Sequence, residues 1–111
     1  MFYKGVMKDK GIDITIKNNR GHVLAPDNWE KVLDVKFGKI SAEEYKEYYL
    51  GLIKKRWSIR KEEFIELAKQ GSQKDIALKC FCPLKDKFCH CYLAAKFMNR
   101  LIKKLNLDVV L

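Results

Sequence analysis

The chain has 111 residues, 48% apolar and 33% charged, a balance that excludes a disordered or fibrous polymer and suits one globular domain. Its net charge of +9, from 23 basic and 14 acidic side chains, points away from cationic partners and toward phosphate-bearing ones or acidic surfaces. No apolar run approaches membrane-spanning length, and the start, Met1 to Lys10, has no apolar signal core; the expectation is a cytoplasmic, intracellular protein, not a membrane one, with reduced cysteines.

In chain order, 2–7 and 12–17 read as short strands, the second because Ile12, Ile14 and Ile16 alternate with Asp13, Thr15 and Lys17. "NNRGH" (18–22) is turn chemistry. "LAPDNWE" (24–30) is a loop entering a helix, with Asp27 or Asn28 as N-cap, and that helix ends near Gly38. Ser41 and Glu44 form a capping box. It opens an amphipathic helix over 42–57, with Tyr45, Tyr48, Tyr49, Leu52 and Ile53 at helical spacing. Ser58 caps a further helix that stops at Gly71, with Phe64, Ile65, Leu67 and Ala68 inward. "DIALKCFC" (75–82), almost continuously apolar and closed by Pro83, reads as a buried central strand. A helix over 89–105 and a final strand over 107–111 follow. The predicted fold class is α/β: a small single domain spanning 1–111, with about four strands, partly parallel, and about four helices in the order β-β-α-α-α-β-α-β. The last three elements form a right-handed βαβ unit. The final strand would also offer an edge for pairing in a dimer.

The junction at 79–96, "KCFCPLKDKFCHCYLAAK", holds all four cysteines and one of the two histidines. Ligands of open α/β sheets sit outside the carboxyl ends of the strands, and a helix N-terminus there favours anions. Lys85, Lys87, Cys89 and His90 are therefore candidate holders of a phosphate. Cys80 and Cys82 share one strand face roughly 7 Å apart, too far to bridge each other. A disulfide would cross the loop, for example Cys82 to Cys89. A zinc site drawn from Cys80, Cys82, Cys89, His90 and Cys91 has correct ligand types, but C-x-C-x6-C-H-C lacks the usual two-residue knuckles, so zinc is not favoured. The thiol-enzyme alternative takes Cys89 as nucleophile, its pKa lowered at the helix start, with His90 or His22 as base. Adjacent helical residues face different ways, which weakens the Cys89–His90 pairing. Cys80 reads as core packing, and His90 equally as a helix-start residue bonded to local backbone.

The aromatic residues Tyr45, Tyr48, Tyr49, Trp57 and Phe64 have the spacing of core residues before that of base-stacking platforms. Lys far outnumbers Arg, so the charge consists mostly of flexible points, not base-reading forks. That suits non-specific electrostatic binding, an AT-rich genome or a thermophilic source.

"LAPDNWEKVLDVKFGKISAEEYKEYYLGLI" followed by "IALKCFCPLKDKFCHCYLAAKFM" resembles the YeaO-like family of small proteins, grouped as a domain of unknown function. The matching pieces are Leu24-Ala25-Pro26, Gly38 through Tyr45 and Tyr49, the cysteine-rich strand end, and Cys89-His90 opening the last long helix. Cys91 stands where the family usually has Arg. The resemblance covers roughly 20–102. It implies an α/β fold and a site near Cys89 and His90, with Lys85 or Lys87 replacing the lost Arg, and it brings no assigned activity. A related phage and bacterial group shares a Cys-Pro…Cys-His pattern, in keeping with a viral source. Three functions are therefore open: a module binding a nucleotide or nucleic acid at 82–90, a thiol enzyme, or a cysteine- or zinc-stabilised protein acting elsewhere.

Overall fold

The computed structural model describes residues 1–19, 21–80 and 90–105, with the main chain alone at residue 80. Its centre is the apolar strand Ile76–Cys80, β3. Ile76, Ala77 and Leu78 are all buried, as a strand covered on both faces requires. Two strands flank it, β1 (Phe2–Val6) and β2 (Gly11–Asp13), in the order β1-β3-β2, and both pairings are parallel. The helices are α1 (Ile16–Asn19), α2 (Trp29–Lys36), α3 (Ala42–Ile59), α4 (Lys61–Gln73) and α5 (His90–Lys104). This is a small α/β fold with three strands and five helices among the described residues. The predicted final strand at 107–111 and the loop 83–88 lie outside them.

Because β1 and β2 run alongside opposite edges of β3, the link 7–10 must pass over one face of the central strand. Small residues permit that crossing. A Cβ at Gly11 would stand 2.8 Å from the Ala77 Cβ, and one at Gly5 would stand 2.9 Å from the same atom. Side chains larger than hydrogen would push the crossover off the sheet.

Three boundaries differ from the sequence reading. The strand expected over 12–17 stops at Asp13, because polar side chains there bond the backbone and turn it. The Asp13 carboxylate accepts from the Thr15 N–H at 2.9 Å and from the Thr15 hydroxyl at 2.8 Å. Thr15 Oγ1 in turn accepts from the Asn18 N–H at 3.1 Å, starting α1. Ile14 and Ile16 still reach the core, so the alternation reflected burial without a continued strand. Ser58 lies inside α3, and Arg60 is the N-cap of α4. Gly71 does not end α4 but lies inside it, against the Phe2 ring.

Several local signals hold. Asn28 caps α2, accepting from the Lys31 N–H. Ser41 and Glu44 form the capping box of α3. Tyr45, Tyr49 and Ile53 of α3, Phe64 of α4, Leu78 of β3, and Met98 and Ile102 of α5 meet in the core. Tyr48 and Trp57 are partly buried beside them. Full burial of a side chain such as Phe64 contributes roughly 1.5–3 kcal/mol.

Candidate functional site

The parallel sheet places the carboxyl ends of its strands together, and the start of α5 follows β3 at that end. Of the residues singled out at this junction, Cys82, Lys85, Lys87 and Cys89 lie outside the described ones, as does the Cys80 side chain. Cys80 ends β3, its backbone in register with Val6.

His90 and Cys91 are both buried. His90 Nε2 lies 2.9 Å from the Ile14 carbonyl oxygen, the geometry of an imidazole N–H donating to a main-chain acceptor. One partner of the ring is thus a backbone group 76 residues away. The ring also stands 5.9 Å from that of Tyr49, at a tilted angle. The Cys91 Sγ is 3.9 Å from His90 Nε2. The described half of the junction is therefore turned into the core.

His22 lies elsewhere. Its Nδ1 accepts from the Leu24 N–H at 3.1 Å, which leaves the ring proton on Nε2. It borders a groove of about 640 Å³ where Asn19, Gly21 and Val23 face α4, beside Arg60, Glu63 and Glu66. Burial, then the charge of Arg60, lower its pKa, and Glu63 opposes them. The two histidines are linked through the core: His22 holds the Leu24 amide, Tyr49 Oη donates to the Leu24 carbonyl at 2.5 Å, and the Tyr49 ring meets His90. Among the described residues no three His, Cys, Asp or Glu side chains gather as a metal site, and no helix is long and apolar enough to cross a membrane.

A second feature escaped the sequence reading. α3 and α5 border two adjoining hollows, of about 340 and 780 Å³, which share Leu50, Phe97 and Arg100. Ala42 and Tyr92 line the first hollow, Trp57 and Lys104 the second. The two helices therefore run in the same direction along one continuous groove. Its floor is Leu50, Trp57, Tyr92, Phe97 and Leu101. Its borders carry Lys46, Lys54, Lys96, Arg100, Lys103 and Lys104, against one carboxylate, Glu43. None of these six cations is held in an ion pair among the described residues. Lys96 Nζ stands over the Tyr92 ring, 5.1 Å from its centroid, and Lys61 Nζ over Trp57 at 5.2 Å. The signal was present in the sequence as "KKR" and "NRLIKK", but on two segments whose pairing periodicity alone does not reveal.

Comparison of the chain with family models, with curated proteins and with solved structures finds no match.

Proposed function

We propose that the protein is a binding module for a phosphate-bearing ligand, a nucleotide or nucleic acid. The observation that carries this reading is the α3–α5 groove, with six cations and one carboxylate along its borders. Lysines on flexible stems meet phosphates as point charges without fixing sequence. The surplus in the whole chain has the same sign. The phosphate site expected at 82–90 belongs to this reading as a second contact, supplied by Lys85 and Lys87.

Kinship with the YeaO-like family is part of the same proposal. In its support, two pieces of the first quoted stretch touch: Tyr49 of the tyrosine segment bonds Leu24 of Leu-Ala-Pro.

The test is fluorescence anisotropy with single- and double-stranded oligonucleotides across a salt series. Affinity should fall linearly on a log–log plot, with a slope of about −0.7 per phosphate for single strands and about −0.9 for duplex. Lys54→Glu with Arg100→Glu should flatten the slope. Absence of binding at low salt ends the reading.

A further inference from the structure

We infer that the α3–α5 groove takes a single nucleic-acid strand, with bases laid on its aromatic floor and phosphates on its lysine borders. This rests on the reading above and narrows it. A nucleotide presents a flat π-face covalently tied to an anion. The groove presents the complement twice. Near one end the Tyr92 ring lies beneath the Lys96 ammonium, and near the other Trp57 lies beneath Lys61. Both rings are half-buried side chains held by helices, so stacking on them costs little ordering. Between them, Leu50 and Phe97 continue the apolar floor. The α5 stretch from Tyr92 to Lys104 rises about 18 Å, enough for several nucleotides.

A duplex fits this surface less well. Its bases are stacked on one another and show the protein only groove edges and phosphates. The recessed floor would then go unused and only the lysines would contribute. An acidic amphipathic helix would satisfy the borders, but it has no planar group to replace a lysine over each ring. Bases do, and stacking on aromatic side chains is tolerant of sequence, in keeping with a Lys-dominated rim.

The experiment compares three ligands with matched phosphate number: an oligothymidylate of about ten nucleotides, an abasic strand of the same length, and a duplex. The thymidylate should bind at least about tenfold tighter than the abasic strand, and tighter than the duplex. Trp57 emission, followed in a Trp29→Phe background, should be quenched by the thymidylate alone. Tyr92→Ala should erase most of the preference and Tyr92→Phe should keep it, with circular dichroism confirming the fold of each variant. Equal binding of all three ligands overturns the single-strand inference and leaves the proposed function standing. Binding of none overturns both. A thymidylate preference unmoved by Tyr92→Ala, or tighter capture of an acidic helical peptide than of thymidylate, also overturns the inference.

Discussion

The Asn99 carboxamide holds both main-chain groups of Phe2: its Oδ1 accepts from the Phe2 N–H at 2.8 Å and its Nδ2 donates to the Phe2 carbonyl at 2.9 Å. Among the described residues β1 has no strand neighbour on that side, and α5 supplies the partner for both groups. Asn99→Leu keeps the shape and removes both bonds. It should cost about 1–3 kcal/mol, read from urea unfolding. Asn99→Asp should be worse near neutrality, because an acceptor then faces the Phe2 carbonyl. That excess should shrink as pH falls below about 4 and the carboxyl regains a proton. Equal stability of wild type and Asn99→Leu would show that water replaces the side chain there.

Phe2 meets α4 on its other side. The ring fills the space a Cβ at Gly71 would occupy. In an open helix Gly71→Ala would stabilise by up to about 1 kcal/mol. Here the methyl collides with a ring in the core, and the expectation is a loss of about 1–3 kcal/mol. The cause is separable by a double-mutant cycle with Phe2→Leu, which should return more than about 0.5 kcal/mol of coupling. Additive effects would place the strain elsewhere.

These contacts show what sequence could and could not reveal. The capping box at Ser41 and Glu44, the Asn28 cap and the apolar run of β3 are local signals, and each element begins or sits where its residues imply. The segment 21–28 read as a turn and an entry loop, yet Val23, Leu24 and Ala25 are buried. Its carbonyls needed partners, and α3 with the Arg60 that follows it provides them. Arg56 donates to the carbonyls of His22, Val23 and Ala25, Tyr49 to Leu24, and Arg60 to Gly21. The spacings from 25 to 39 residues put these bonds beyond any periodicity. Arg56 is thus a backbone clamp. The basic groove was hidden for the same reason, since it exists only once α3 and α5 lie side by side.

His22 makes the 21–25 segment sensitive to pH. Burial and the Arg60 charge lower its pKa from the ordinary value of 6.5. Protonation at Nδ1 would also forfeit the Leu24 amide bond. The unfolded chain therefore binds the proton more readily than the folded one. This contribution to stability is complete above the unfolded pKa and is lost as pH falls through the folded value. Urea midpoints should drop on going from about pH 7 to pH 5, and His22→Gln should flatten that dependence. A His22 ring resonance titrating at or above the ordinary histidine pKa would contradict the burial argument.

Tyr48 carries the opposite sign at the alkaline end. Its hydroxyl accepts from the Asp27 and Asn28 N–H groups, at 3.1 and 3.0 Å, and donates to the Asp27 carboxylate at 2.7 Å. A group read as core from its helical spacing thus also ties the start of α2 to α3. Burial, then the hydrogen bond to Asp27, push its pKa from 10.0 up to about 12. The folded state keeps a proton that the unfolded state gives up. Its contribution is fully present below the unfolded pKa and is lost as pH rises from about 10 toward 12. Phenolate absorbance should show a late-titrating tyrosine in the wild type that is missing from Tyr48→Phe. The same variant should be less stable near pH 7 by about 1 kcal/mol, because both loop amides lose their acceptor. That deficit should narrow above about pH 10, where the unfolded wild type gives up the proton that folded Tyr48 keeps for Asp27. A deficit that stays constant across this range would mean that the Tyr48 ring, not its hydroxyl, secures the loop.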